Sequence, residues 1–251
     1  MSDHYRRNAR RWVNNGDMQT ILVPPLMCSA SVYEPIIDTL WSRGSVTLAD
    51  TRTDITIGSM AARLLRDAPE RFALLGTSMG GYVALEVVRQ APDRVAGLAL
   101  VSTSARADTP EQLNSRAGQS RLVEEGQFDR LVDAAFPSVV AQQHEGDASL
   151  LEAWRAMTGA LGAEAFLRQQ CVVMDRLDAR ALLPTISCPT VVIHGADDRL
   201  IPLAMGQEIA SAIPGAELVT IEDAGHFLFR EQPEAARAAV AGFLDRVDLD
   251  R

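Results

Sequence analysis

Short, mostly apolar runs, each followed by a helical pattern, constrain this chain more than any other feature. Thr20-Ile21-Leu22-Val23, Val46-Thr47-Leu48-Ala49, Phe72-Ala73-Leu74-Leu75 and Val95 to Val101 read as strands. Pro24-Pro25 stops the first. Helical stretches follow at Val32 to Trp41, Ser59 to Arg66 and Met79 to Gln90, the last two closed by Pro69 and Pro92. Strands that are apolar along their whole length are covered on both faces, and β-α-β-α order gives parallel neighbours. The expectation is an α/β fold, a mostly parallel doubly wound sheet with helices on both sides.

From Ser104 to Leu183 the strands vanish. Amphipathic stretches replace them: Glu111 to Glu124, Phe128 to Ala135, Ser149 to Ala160 and Glu164 to Leu177. Alternation then resumes with Thr190 to Ile193, Leu203 to Ile213, Glu217 to Ile221 and Pro233 to Val247. Residues 1–103 and 184–251 therefore read as one core, interrupted by a helical insertion over 104–183.

Composition removes several function classes. The net charge is −9, which disfavours nucleic acid and anionic membranes as partners. No apolar run approaches the roughly 20 residues that span a bilayer. Arg6, Arg7, Arg10 and Arg11 lead into Trp12-Val13-Asn14-Asn15 rather than an apolar segment, so no secretory signal is expected. All 24 basic residues are arginine, which excludes Schiff-base, P-loop and kinase-type lysines. Cys28, Cys171 and Cys188 lie far apart, match no zinc spacing and point to a reducing, cytoplasmic compartment. His4, His144, His194 and His226 form no metal pattern, and no cofactor or metal is expected.

The chemistry concentrates at Gly76-Thr77-Ser78-Met79-Gly80-Gly81, a G-x-S-x-G motif between a strand and a helix. Small flanking residues permit a sharp turn that exposes Ser78 at a helix N-terminus. A serine hydroxyl needs a base, and the base an orienting acid. Chain order Ser, Asp, His selects Asp198, in the loop after His194-Gly195, and His226, in Ala224-Gly225-His226-Phe227. Asp197 is the adjacent rival for the acid. His194 reads as structural, and His4 and His144 as solvated. Ser102-Thr103-Ser104 offers no competing carboxylate after the fourth strand. Cys28 reads as a small buried hydrophobe.

These motifs resemble serine hydrolases of the α/β-hydrolase superfamily over nearly the whole chain, nearest the capped, esterase and enol-lactonase-like bacterial branch. Pro24-Pro25-Leu26-Met27-Cys28-Ser29 and Arg168-Gln169-Gln170 are similar to stretches in a subset of that branch. The resemblance implies an oxyanion hole of two backbone N–H groups. One is Met79, after the nucleophile. The other is Leu26, at the third position of a His-Gly-X loop that here begins Pro24-Pro25, with Met27 as the fallback. Proline lacks an N–H, but Leu26 keeps its own, so the donor that the resemblance implies survives the Pro24-Pro25 departure.

The expected function is hydrolysis of a small carboxylic ester through an acyl-Ser78 intermediate. Alternatives are a specific enol-lactone, C–C or thioester hydrolase, a perhydrolase, or a ligand receptor with slow turnover. Met27, Trp154, Met157, Phe166 and Phe227 are candidate substrate contacts, with Met174 a further apolar candidate. Arg116, Arg121, Arg155, Arg168 and Arg176 are candidate carboxylate binders. The expected partner is a small molecule, the expected state a monomer or homodimer.

Overall fold

The computed structural model describes residues 18–247. The basic N-terminal segment and His4 lie outside the described residues. Six strands form one sheet: β1 (Thr20–Val23), β2 (Val46–Leu48), β3 (Phe72–Thr77), β4 (Val95–Val101), β5 (Thr190–Gly195) and β6 (Glu217–Ile221). Their order is β2-β1-β3-β4-β5-β6, and every pair is parallel.

Alternate strand residues feed two separate cores. Leu22, Leu75, Val101 and Ile193 face Ile36, Leu40, Val240 and Phe243. Ile21, Leu74, Leu100 and Val192 face Met60, Leu64, Val83 and Ile209. This two-sided burial is the physical reason the strands read as continuous apolar runs. The edge strands β2 and β6 are the more exposed ones, and they carry Thr47, Glu217 and Thr220.

On the first face lie α1 (Ile37–Trp41) and α10 (Pro233–Leu244); on the second lie α2 (Ile57–Asp67), α3 (Met79–Gln90) and α8 (Leu203–Ala212). The stretch before α1, expected as helix from Val32, is a 3₁₀ turn over Ala30–Ile36. Pro35 explains the difference: it has no N–H for the Ser31 carbonyl, which accepts from Arg230 at 2.7 Å instead.

Between β4 and β5 run α4 (Pro110–Glu124), α5 (Phe128–Val139), α6 (Ala148–Leu161) and α7 (Ala163–Asp175). Their starts follow capping chemistry. Thr109 and Gln112 form a capping box at α4, and the Asp147 carboxylate accepts from Ser149 and Leu150 N–H at α6. A short helix missed in the sequence, α9 (Leu228–Glu231), follows β6. Among the described residues no helix is long and apolar enough to cross a membrane.

The chain leaves β1 for β2 on one side and then returns to β3 on the other. Ligand crevices form at such a reversal, beyond the strands' carboxyl ends. Leu74, in the middle of β3, is fully buried in the second core. Leu74→Ala is expected to cost about 2–5 kcal/mol, read as a lower urea midpoint with unchanged m value.

Candidate active site

Ser78 ends β3 and begins α3 with φ 52° and ψ −113°. A non-glycine residue there carries strain of order 1–3 kcal/mol. Neighbours hold it in place. Ser78 N–H donates to Val101 O at 2.8 Å, and Ser78 O accepts from Thr103 Oγ1 and Gly81 N–H, both at 2.8 Å. The motif glycines are required by close approach. A Cβ on Gly80 would lie 1.9 Å from Val23 O, and one on Gly76 would lie 2.3 Å from Gly80 O. The turn is thus pressed against the end of β1.

Asp198 and His226 come from the loops after β5 and β6. Asp198 Oδ1 accepts from Leu200 N–H at 3.0 Å and Ile201 N–H at 2.8 Å. Its Oδ2 faces His226 Nδ1 at 2.7 Å. Burial pushes the Asp198 carboxyl up, but His226 and these donors outweigh it and hold it below the ordinary carboxylate value. Asp197 is exposed and makes no such contact. His194 is fully buried, and its Nε2 lies 2.8 Å from Ile201 O, in keeping with a structural part. Cys28 is buried too, and desolvation pushes its thiol up.

The His226 loop has an anchor that sequence reading missed. Glu231 Oε1 accepts from Gly225 N–H at 3.0 Å, and its Oε2 accepts from Ala141 N–H at 2.7 Å. His144 Nδ1 lies 3.0 Å from the same Oε2, so the expectation of a solvated His144 is corrected. Phe227 N–H donates to Val139 O at 2.8 Å. No local signal marks Glu231: beside Arg230 in Leu228-Phe229-Arg230-Glu231 it reads as an ordinary polar helix residue.

The loop after β1 is held from above. Met27 has φ 66°, and its N–H donates to Gln169 Oε1 at 3.0 Å. Gln169 is fully buried on α7, and its Nε2 donates to Thr51 Oγ1 at 3.0 Å. The Met27 N–H is therefore engaged, whereas the Leu26 N–H has no hydrogen-bond partner among the described residues. Tyr33 fixes the start of this loop: its hydroxyl donates to Val23 O at 2.7 Å.

Ser78, Met79, Leu26, Met27, His226, Phe227 and Trp154 line one cavity of about 580 Å³. No hydrogen bond joins Ser78 Oγ to His226, although both face this space. Met157 and Phe166 are corrections. Both are buried in the core away from the cavity lining, Phe166 with its ring centroid 5.8 Å from that of Phe128. Met174 is partly exposed and also outside the lining. Among the described residues no cluster of His, Cys, Asp and Glu is placed to hold a metal ion.

The comparisons agree with this fold. Residues 61–233 match the family model of the alpha/beta hydrolase fold. The chain therefore belongs to the α/β hydrolase family. It is 32% identical over 195 residues to a pimeloyl-[acyl-carrier protein] methyl ester esterase of Aromatoleum aromaticum, covering 71% of this chain and 76% of that protein. Among solved structures it is similar to an esterase from Thermogutta terrifontis: TM-score 0.82, 26% identity, 91% of this chain and 89% of that chain. It is likewise similar to the enol-lactonase from Burkholderia xenovorans LB400: TM-score 0.81, 27% identity, 92% and 93%.

The buried imidazole of His194 generates a pH prediction. Burial, only partly opposed by the Ile201 carbonyl and Asp198, lowers its pKa from the ordinary value. A depressed histidine contributes stability above its unfolded pKa of about 6.5 and loses it as pH falls through the folded value. The urea midpoint should therefore fall as pH is lowered from about 7 to 5, with a shallower fall in His194→Gln.

Proposed function

We propose that the protein is a serine hydrolase that cleaves a small carboxylic ester through an acyl-serine intermediate. The observation that carries this reading is one cavity shared by a strained Ser78 and by His226, with His226 Nδ1 2.7 Å from Asp198 Oδ2. With Nδ1–H donated to Asp198, Nε2 is the basic nitrogen. In the proposed first half-reaction Nε2 takes the Ser78 proton while Oγ bonds to the ester carbonyl carbon. The carbon–oxygen bond to the alcohol then breaks, and that proton leaves on the alcohol. In the second half-reaction His226 takes a proton from water, whose oxygen bonds to the acyl carbon. The Ser78 ester bond breaks, the proton returns to Ser78, and the acid leaves. The sum is ester plus water giving acid plus alcohol.

Each tetrahedral intermediate carries an oxyanion. Two N–H groups are proposed to hold it: Met79, in the first turn of α3, and Leu26. The free Leu26 N–H supports this pairing, and the engaged Met27 N–H counts against Met27 as the donor. Gln169 acts as a positioning residue, since it holds the loop that presents Leu26. The four-helix segment serves as the cap over the site. The names of the relatives, two esterases and an enol-lactonase, support an ester or a lactone, which is a cyclic ester cleaved by the same steps.

Intact mass after fluorophosphonate treatment tests the nucleophile, alongside p-nitrophenyl acetate and butyrate hydrolysis. Wild type is expected to gain one adduct and to turn over. Ser78→Ala should lose the adduct and about 10³-fold or more of kcat. An adduct that persists in Ser78→Ala would sink the assignment. Gln169→Leu should lower kcat about tenfold or more with little change in KM, since an oxyanion donor contributes mainly to the transition state.

A further inference from the structure

The protein carries a net charge of −9, yet no carboxylate lines its main cavity among the described residues. Three arginines do: Arg106, Arg116 and Arg176. Arg106 is matched by Glu208, through contacts of 2.9 and 2.7 Å. The other two share a single partner. Asp108 Oδ2 accepts from Arg116 Nε at 2.7 Å, and Asp108 Oδ1 lies 2.7 Å from Arg176 Nη2. Asp108 is buried, and Arg176 nearly so, with its guanidinium 4.2 Å from the Tyr82 ring centroid. One positive charge in the wall is left without a counter-charge, a costly state until an anion arrives.

Hydrogen-bond logic sharpens the point. Arginine only donates, so the Gln170 oxygen must face Arg116 Nη1, here at 3.2 Å. The Gln170 nitrogen then faces Gln119, whose oxygen accepts it at 2.8 Å. That fixes the Gln119 amide with its oxygen toward Gln170 and leaves its Nε2 without a protein partner among the described residues. Gln112, at the cavity rim, has likewise given its oxygen to Thr109 N–H, at 2.9 Å. Arg116 Nη2, Gln119 Nε2 and Gln112 Nε2 have no partner among the described residues, while the Gln119 and Gln112 oxygens each already accept one hydrogen bond. Residues 112, 116 and 119 lie on one face of α4, a helix whose one buried residue is Val123. The same cavity is also lined by the apolar side chains of Leu131, Trp154, Phe227 and Phe229.

We propose that this end of the cavity binds a carboxylate of the substrate, held by Arg116 and Gln119, so that the preferred ester carries a second, anionic group. The inference rests on the serine hydrolase reading for its ester, but not for its anion site. A surplus of one charge suits a carboxylate monoanion better than a phosphate dianion.

Two measurements test it. The first compares kcat/KM for monomethyl esters of dicarboxylic acids, from succinate to pimelate, with methyl esters of monocarboxylic acids of equal length. A parallel set compares acetyl esters of hydroxy acids with those of matched alcohols. At least one set should favour the carboxylated member about tenfold or more, the scale of one charge-assisted hydrogen bond. Arg116→Gln should collapse that ratio, mostly through KM, and Arg116→Lys should retain part of it. Gln119→Leu, which keeps every Arg116 contact, should reduce it as well. The second measurement is calorimetric binding of glutarate, expected for wild type and lost in Arg116→Gln. Preference for uncharged esters in both sets, while fluorophosphonate still labels Ser78, would overturn the proposal and leave the hydrolase reading standing. If Ser78 is not labelled, the hydrolase reading has failed, and glutarate binding decides the anion site alone: binding lost in Arg116→Gln supports it, and no binding overturns it.

Discussion

The turn at Ser78 is the constraint on which the rest depends. A side chain at φ 52° persists only where its surroundings over-determine it. Here the Gly80 backbone is pressed onto Val23 O, while Val101 O and Thr103 take the Ser78 peptide on the far side. Three adjacent strands, β1, β3 and β4, therefore converge on one residue. The same contact sets the height of the loop after β1, because Val23 O also accepts from Tyr33. The parallel sheet supplies the rigidity, and the reversal of strand order between β1 and β3 supplies the opening.

Three buried polar side chains do the rest of the positioning, and each has more than one partner. Asp198 takes two backbone N–H groups on one oxygen and His226 on the other. Glu231 ties Gly225, Ala141 and His144 together. Gln169 ties Met27 to Thr51. Glu231 and Gln169 join core loops to the segment between β4 and β5, which also contributes residues to the cavity lining. Networks of this kind rigidify a site only when every member is paired. Arg116 and Gln119, which line the cavity, keep donors with no protein partner among the described residues.

Much of the fold was legible because its signals are local. β1, α3, β4 and β6 fall on the residues that apolar runs and Pro or Gly stops delimit. Ser78, Asp198 and His226 were singled out from chain order; each follows a strand that the pattern reveals, and the fold sets Asp198 beside His226 and puts Ser78 and His226 on one cavity. What escaped depends on contacts distant in sequence. Met157 and Phe166 lie on amphipathic helices, and the pattern cannot say whether an apolar stripe faces a core or a cavity. Glu231 and Gln169 look like ordinary surface residues until the fold buries them. The 3₁₀ path before α1 needed Arg230, roughly 200 residues away in the chain, to satisfy the carbonyl that Pro35 orphans.

The central claim is a covalent acyl group on Ser78. Acid quenching during turnover of p-nitrophenyl butyrate, followed by peptide mapping, tests it most directly. The account predicts a butyryl group on the peptide containing Ser78, at its hydroxyl, appearing with the first burst of nitrophenol. Steady turnover with no acylated peptide, or with the acyl group on another residue, would contradict it.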